Sequence, residues 1–242
     1  MGTGIESTGA TGPTVANAST ADAGDVGTRL KKGLFITLEG GEGAGKSTQM
    51  RLLGQRLRER GLDVLCLREP GSSPIGEAIR DVLLDPGNTD LTPMAELMLY
   101  EAARAQMVAV VVKPALDAGR VVLCDRFADS STAYQGAGRN LGPEPVARLN
   151  RFASAGIVPD RTILLDIPVS EGLCRAESVL ENLSSGVLDR MEQEGLDFHQ
   201  AVRDGFLELA ALDPERVRVV DATRQPAEVA ERIWAEVSDL FV

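Results

Sequence analysis

Short apolar runs rich in β-forming residues alternate with longer segments of helical periodicity between residues 34 and 240. The apolar runs predict five buried strands with the sequences GLFITLEG, DVLCLREP, VVLCDRF, TILLDIPV and VRVVDAT. Helical spacing predicts three helices at about residues 48–61, 93–118 and 226–240, although the β-branched stretch VAVVV in the second argues weakly against a helix there. Strands alternating with helices predict a parallel sheet covered on both faces, a three-layer α/β/α sandwich.

The first 30 residues show no apolar periodicity and contain no aromatic side chain. They bury too little apolar surface to offset the entropy of ordering, so we expect a disordered extension over 1–30 and a folded domain over 31–242. The extension has neither the basic start and apolar centre of a secretory signal nor the arginine content of a transit peptide. We therefore expect a cytoplasmic protein.

Charge and composition narrow the possible functions. The formal net charge of -11 argues against nonspecific binding to nucleic acid or an anionic membrane. No apolar run approaches the roughly 20 residues that span a bilayer. Cys66, Cys124 and Cys174 form no CxxC pair, which argues against a disulfide framework or a zinc site. With His199 as the only histidine, a histidine-based triad or a multi-histidine metal site is hard to build.

The segment after the first strand fits a phosphate-binding loop. Gly40-x-x-x-x-Gly45-Lys46-Ser47 matches the Walker A pattern of P-loop NTPases, with a strand before it and a helix after it. Glycines let backbone N–H groups converge on phosphate oxygens, Lys46 adds positive charge, and Ser47 offers a hydroxyl to Mg²⁺. The predicted ATP-binding residues are Gly40, Gly41, Glu42, Gly43, Ala44, Gly45, Lys46, Ser47 and Thr48. The loop alone does not separate a small-molecule kinase from a GTPase or a motor.

Three further segments indicate an acceptor side. Arg68-Glu69-Pro70-Gly71 follows the second strand, at the edge where parallel sheets bind ligands. In LMLYEAARAQ, Tyr100 and Arg104 are four residues apart, so they share a helix face that could stack on a base and donate to it. Taken alone, the first segment could also be a strand-terminal turn. The second, taken alone, is more simply explained by an aromatic at the edge of the core beside a solvated arginine.

The third segment, CDRFADSSTAYQGAGR, carries the densest polar chemistry. Asp125 can order water around Mg²⁺, and Arg126 can bridge two phosphates. The neutral groups that follow suit an uncharged base and sugar: Ser130, Ser131, Tyr134 and Gln135. A polar surface loop is the plainer alternative.

Together these motifs make the chain similar to bacterial thymidylate kinases. EGGEGAGKST, REPG, AARAQ, DRF-x-DSS-x-AYQG-x-GR and DR-x-E-QE occur in the order and spacing of that family, over roughly residues 33–240. The resemblance implies a P-loop NTPase fold with a five-stranded parallel sheet and a short helical lid. It also implies phosphorylation of dTMP to dTDP by direct in-line transfer of the γ-phosphoryl group of ATP, with Mg²⁺, in a homodimer.

The resemblance also implies roles for individual residues. On the dTMP side, Arg126 and Arg80 bind the phosphate, and Glu42 binds the deoxyribose 3′-hydroxyl. The remaining dTMP contacts are implied at Tyr100, Arg104, Ser131, Gln135 and, against the sugar, Tyr134. Glu69 and Asp125 join Ser47 in placing Mg²⁺ and its waters. Two departures are visible: Ser72 replaces a family glycine, and Tyr100 replaces a phenylalanine.

The sequence offers two candidates for the transition-state arginine, Arg175 and Arg190. A phosphate acceptor is already anionic at neutral pH, so the transfer needs positioning and charge neutralisation rather than a general base. The phosphate loop has no arginine, and the lid expected at about 172–194 has no Lys or Arg between Arg175 and Arg190. Either Arg175 or Arg190 serves with Lys46 and Arg126, or the enzyme is slow or takes a basic residue from a partner.

Two rival functions fit parts of the sequence. One is a P-loop kinase for another nucleoside monophosphate or for a deoxynucleoside, although Arg80, Arg104 and Arg126 favour a phosphate acceptor. The other is a nucleotide-binding protein with a degraded lid. The dimer could use the apolar residues Val108 and Val111–Val112 of the 93–118 helix, but packing in the core explains them equally well.

Overall fold

The structure is a computed structural model that describes residues 28–182 and 188–241. A single sheet holds five parallel strands in the order β2-β3-β1-β4-β5. The strands are β1 Leu34–Glu39, β2 Val64–Arg68, β3 Val121–Asp125, β4 Arg161–Asp166 and β5 Val217–Asp221. The predicted strands and the parallel sheet are confirmed. Since β1 lies between β3 and β4, the loop after β1 emerges where the strand order reverses, which is where such sheets bind ligands.

The helices follow the strands in alternation. In chain order they are α1 Lys46–Glu59, α2 Pro74–Leu84, α3 Pro93–Met107, α4 Lys113–Asp117, α5 Ala128–Ser131, α6 Pro143–Ala153, α7 Val169–Asn182, α8 Leu196–Leu212 and α9 Pro226–Val237. A π-helical segment, Val108–Val112, joins α3 to α4, so the predicted helix over 93–118 is confirmed. The β-branched stretch Val108–Val112 is thus helical, but with the wider π-helical hydrogen-bond pattern instead of the α-helical one.

Both faces of the sheet are covered, which confirms the three-layer sandwich. On one face α1 and α9 pack with Leu53, Leu57 and Ile233 against β1, β3 and β4. The other face is covered by α3, its π-helical continuation, α4 and α8, with Phe206 of α8 fully in the core. Val108 and Val112 are buried in this second core and Val111 packs against it, so core packing explains the valines that the sequence offered as a dimer surface.

Four helices, α2, α5, α6 and α8, lie outside the predicted segments. Ser73 caps α2 by accepting from Gly76 N at 3.0 Å, and Pro74 opens it, so a start signal is present in the sequence. Helix α5 and the π-helical segment Thr132–Gly138 replace the polar loop considered for this stretch. Their turns bury Ser131 and Gln135 rather than exposing them.

The extension predicted over 1–30 lies mostly outside the described residues. Of its described part, Thr28 donates its backbone N–H to Gly61 and accepts from Asp63, and Leu30 donates to Gly119 O at 2.8 Å. Ordered packing therefore begins by Thr28, slightly earlier than expected. Within the described ranges, no helix is both long enough and apolar enough to cross a membrane.

Candidate active site

A cleft of about 810 Å³ opens at the carboxyl ends of the strands. Its wall combines the phosphate loop after β1, the turn after β2, the end of β3, the lid helix α7 and the turn after β5. Nearly all the predicted site residues line it; the exceptions are Gly40, Gly41 and Arg190. The fold thus brings the predicted ATP side and the predicted acceptor side into one cavity.

The phosphate loop meets α1 in the geometry expected for anion binding. Gly45 adopts a left-handed φ of 89° and caps α1 without a side-chain hydrogen bond, and the first-turn residues Lys46, Ser47 and Thr48 line the cleft. Lys46 Nζ donates to the carbonyls of Gly40 at 3.1 Å and Gly41 at 2.7 Å, which holds it across the loop. Burial, and then Arg126, lower the pKa of Lys46. An entering polyphosphate would relieve this repulsion between two cations.

Two glycines bring the lid against the phosphate loop. A Cβ on Gly43, which has φ 65°, would collide with the carbonyl oxygen of Gly172 in α7. A Cβ on Gly172 would in turn collide with the carbonyl oxygen of Glu42. Only glycine fits at these two contacts, so the first turns of the lid helix are fixed directly to the loop that grips phosphate.

Ser47 and Asp125 form the oxygen pair expected of a magnesium site. Ser47 Oγ donates to Asp125 Oδ2 at 2.7 Å at the rim of the cleft. The described residues hold no group of three His, Cys, Asp or Glu side chains that could bind a metal ion by themselves. Such a pair suits Mg²⁺, which usually binds one or two protein oxygens and completes its shell with phosphates and water.

Glu69, the third predicted magnesium residue, is placed differently. Both its carboxylate oxygens accept from Arg104, and its side chain is almost completely buried. Its backbone N–H donates to Asp125 O at 2.9 Å, so it braces the strand end that carries Asp125. The structure therefore gives Glu69 a supporting position at the cleft, and its contact with the ion stays a prediction.

Glu42 joins the phosphate loop to the acceptor side. Its Oε1 accepts from Arg126 Nη2 at 2.8 Å and from the Tyr134 hydroxyl at 2.6 Å. The Arg126 guanidinium also lies over the Tyr134 ring, 4.8 Å from its centroid. Burial alone would raise the pKa of Glu42, but Arg126, Lys46 and the Tyr134 hydroxyl lower it to about 2. The acid among the glycines is therefore ionised, and it positions the predicted phosphate-binding arginine.

Arg126 is held in an unusual backbone conformation. Its φ of 70° lies in the left-handed region that favours glycine, so an arginine at this position costs conformational free energy. Such strain is typical of residues held in place for function. Below it, buried Glu39 accepts from Phe127 N at 2.7 Å and from Ser130 Oγ at 2.5 Å. Burial and the nearby Asp129 raise the pKa of Glu39 to about 8. Glu39 was not predicted as a site residue, although it is the first residue of the EGGEGAGKST motif and directly precedes Gly40.

Arg104 is fully buried, which alters its predicted role. Its Nε donates to Glu69 at 2.9 Å, and its Nη1 donates to Glu101 at 2.8 Å and to Asn150. Its Nη2 donates to Glu69 and to Ser131 Oγ at 2.8 Å. Every nitrogen of Arg104 donates within the protein, so it neutralises two buried carboxylates and fixes Ser131 beside the cleft. Arg104 also lines the cleft, and its hydrogen bond to a base carbonyl stays a prediction.

The other predicted acceptor residues do reach the cleft. Arg80 Nη1 donates to Pro70 O at 3.0 Å, and burial together with the nearby Arg68 lowers the pKa of Arg80. Tyr100 lines the same wall and has its pKa raised by burial, so its hydroxyl stays neutral. Ser131 and Gln135 are buried at this wall. The acceptor part of the cleft therefore has positive charge at Arg80 and uncharged polar groups at Tyr100, Ser131 and Gln135.

The two lid arginines are both engaged by protein partners. Arg175 Nη1 donates to Ala222 O at 2.9 Å, and its Nη2 donates to Glu171 at 2.6 Å and to Thr223 O. It lines the cleft at the turn after β5. Arg190 is buried: its Nε donates to Leu83 O at 2.8 Å and its Nη1 pairs with Glu96 at 2.7 Å.

Arg190 does not line the cleft, so the structure assigns it an anchoring role at the end of the lid instead of the predicted catalytic one. Residues 183–187 of the expected lid lie outside the described residues.

The contacts also bring in residues to which the sequence analysis assigned no role. Glu96 and Arg139 form a buried ion pair beside Gln135, with Nη2 to Oε2 at 2.9 Å. Arg68 lines the cleft next to Arg80. Arg68 and Arg139 stand in the quoted motifs, but the pairing of Arg139 with Glu96 joins positions 43 residues apart, so a single sequence does not reveal it.

Comparison with known proteins identifies the family. The family model described as thymidylate kinase matches residues 38–233. A thymidylate kinase of Trichlorobacter lovleyi is 54% identical over 200 residues, 83% of this chain and 94% of that protein. One of Deinococcus radiodurans is 48% identical over 210 residues, 87% of this chain and 98% of that protein. The crystal structure of thymidylate kinase from Ehrlichia chaffeensis superposes with a TM-score of 0.69 at 28% identity, covering 84% of this chain and 98% of that one. The chain therefore belongs to the thymidylate kinase family.

Proposed function

We infer that this chain phosphorylates dTMP to dTDP with ATP, the activity that the name of its family describes. The observation that carries the inference is the contact between the two halves of the cleft. Glu42 belongs to the phosphate loop, yet it accepts hydrogen bonds from Arg126 and Tyr134 on the acceptor side. A single cavity can thus hold a triphosphate and a monophosphate end to end.

The transfer is expected to proceed directly between the two nucleotides. The dTMP phosphate is anionic at neutral pH, so one of its oxygens can attack the γ-phosphorus without a general base. Lys46 and Arg126 are the cations beside the phosphate loop, and they offset the charge that develops as the bond to the β-phosphate oxygen breaks. Arg126 also donates to Gly40 O at 3.1 Å, which keeps its guanidinium between donor and acceptor.

Mg²⁺ is the metal that the oxygen donors favour. Ser47 Oγ and Asp125 Oδ2 are the groups that would hold it, directly or through water. The ion would neutralise phosphate charge and orient the triphosphate. Glu69 would act through the strand end that it braces.

The acceptor space divides into a phosphate end and a base end. Arg80 and Arg126 bind the dTMP phosphate, and Glu42 accepts from the deoxyribose 3′-hydroxyl. Tyr134, which fills the space beside Glu42, disfavours a 2′-hydroxyl on the sugar. Tyr100, Ser131 and Gln135 contact the base. These assignments are supported by the presence of all seven side chains in the lining of one cleft.

An acceptor panel tests the proposed function. Purified chain with MgATP is offered dTMP, dUMP, dCMP and thymidine, and nucleoside diphosphate formation is measured by ion-exchange chromatography. We expect dTMP to give the highest kcat/KM and thymidine to give no product, because the nucleoside lacks the anionic oxygen that attacks. Preferred use of another acceptor, or ATP binding without any product, would replace this function by one of the rivals.

We also propose that the chain forms a homodimer in the cytoplasm and that residues 31–242 form one kinase domain with its lid at about 172–194. The exposed face of α3 supports dimerisation, because it carries an uncharged stripe of Met94, Met98, Ala102 and Ala105. Analytical ultracentrifugation should show a dimer for the wild type and a monomer for Met98→Glu. A wild-type monomer would rule the dimer out and leave the kinase assignment unaffected.

A further inference from the structure

The amide of Gln135 lies at the cleft wall with its nitrogen already engaged. Nε2 donates to Glu96 Oε1 at 2.9 Å, and both side chains are almost completely buried. An ionised carboxylate only accepts hydrogen bonds, so the nitrogen end of the amide must face it. Within the described part of the chain, nothing donates to Gln135 Oε1. Since Gln135 borders the cleft, its oxygen is the end available to a bound base.

Two guanidinium groups keep Glu96 ionised and fixed. Arg139 donates from Nε at 3.1 Å and from Nη2 at 2.9 Å, and Arg190 Nη1 pairs with the same carboxylate at 2.7 Å. Burial would raise the pKa of Glu96, but the hydrogen bonds from Arg139, Gln135 and Arg190 lower it. Glu96 thus remains an acceptor at neutral pH, and it leaves Gln135 a single amide orientation.

We propose that Glu96 is a positioning residue that makes the acceptor site selective for pyrimidine imides by presenting Gln135 Oε1 to the base. This proposal rests on the proposed function, which places the base at this wall. Thymine and uracil offer an N3–H donor to that oxygen. Cytosine offers a lone pair at N3, so two acceptors would face each other without water. Glu96 itself is fully buried and does not line the cleft.

The test compares dTMP with dCMP in the wild type and in Glu96→Gln. A glutamine at position 96 can donate as well as accept, so the Gln135 amide becomes free to rotate. We expect the ratio of kcat/KM for dTMP to that for dCMP to fall by about tenfold or more, because a hydrogen bond gained or lost at a buried site is of this size. An unchanged ratio in a folded variant would overturn the proposal.

Glu194→Gln is the matched control. Glu194 Oε1 pairs with Arg139 Nη1 at 2.6 Å, so this variant also removes a carboxylate from Arg139 but leaves Gln135 untouched. We expect its dTMP-to-dCMP ratio to equal that of the wild type. A fall as large as that of Glu96→Gln would show a general charge effect and would count against the orienting role.

A measurement on the wild type covers the case in which Glu96→Gln does not fold, as judged by circular dichroism. Thymidylate methylated at N3 has no N–H to donate, and we expect its kcat/KM to lie about tenfold or more below that of dTMP. Equal use of both compounds would overturn the proposal. Absence of dTDP from unmodified dTMP would refute the proposed function itself, whereas normal dTMP turnover with an unchanged ratio would refute only the role of Glu96.

Discussion

Replacing Arg104 by methionine tests the revised role of this residue. Arg104 is fully buried between Glu69 and Glu101, whose side chains are 2% and 8% exposed. Methionine retains the apolar stem but leaves two carboxylates without their cation. Breaking such a buried pair costs about 3–5 kcal/mol, a large part of the roughly 5–15 kcal/mol by which domains are stable. If Arg104 served mainly to donate to the substrate, its replacement would lower the unfolding free energy of the ligand-free protein far less.

The loss of stability should depend on pH. Burial raises the pKa of both Glu69 and Glu101, and Arg104 opposes that rise in each case. Without Arg104 the two pKa values rise further, so the folded variant takes up protons as the pH falls. The difference in unfolding free energy between wild type and variant should therefore be greatest above neutral pH and shrink toward the unfolded carboxyl pKa of 4.5.

Urea unfolding followed by circular dichroism measures both effects. Arg232→Met serves as the control, because Arg232 pairs with Glu228 at 2.9 Å on the surface and should contribute less than about 1 kcal/mol. An Arg104→Met variant as stable as this control, or equally destabilised at every pH, would refute the buried-cluster account. A large loss of dTMP affinity without a loss of stability would restore the predicted contact with the base.

Four further substitutions probe the rest of the site. Glu42→Ala should raise KM for dTMP by about tenfold or more while leaving the Kd of ATP nearly unchanged; equal loss of both would contradict the assignment of Glu42 to the acceptor side. Arg126→Ala should lower kcat by about 10³-fold or more, whereas Arg190→Ala should mainly lower the thermal unfolding temperature. A large loss of kcat in Arg190→Ala with little loss in Arg126→Ala would show that Arg190 is the catalytic arginine. Glu39→Gln should become more stable relative to the wild type as pH rises from 4.5 to about 8. The pKa of Glu39 in the folded protein lies above its value in the unfolded chain, so the wild type loses stability over this range and the glutamine variant does not. Urea-unfolding free energies that run parallel with pH in the two proteins would contradict the raised pKa.

Most of the fold could be predicted because its signals are local. Five apolar runs mark the strands, and the Walker A spacing of Gly40, Gly45 and Lys46 fixes the loop between β1 and α1. Helix α8 escaped prediction although it supplies Val202 and Phe206 to the core. In the site, the pairing of Ser47 with Asp125 could be predicted, because Ser47 lies in the first turn of α1 and Asp125 ends β3. A parallel sheet brings these two positions together.

The roles of Arg104 and Arg190 were not accessible from one sequence. Glu101 is three residues from Arg104, but two other partners, Glu69 and Asn150, lie 35 and 46 residues away. A motif reports which residue is present, but burial decides whether its donors face the substrate or the protein. Arg190 has the same limitation, because its pairing with Glu96 depends on how the end of the lid packs against α3.

A crystal structure of the wild type with dTMP, Mg²⁺ and a non-hydrolysable ATP analogue tests the central claim most directly. We expect both nucleotides in the one cleft, with the triphosphate on the loop at Lys46 and the dTMP phosphate on Arg126. The thymine should lie at Gln135, with Arg104 still bound to Glu69 and Glu101. Nucleotides bound at separate sites, or an Arg126 side chain directed away from both phosphates, would contradict the account.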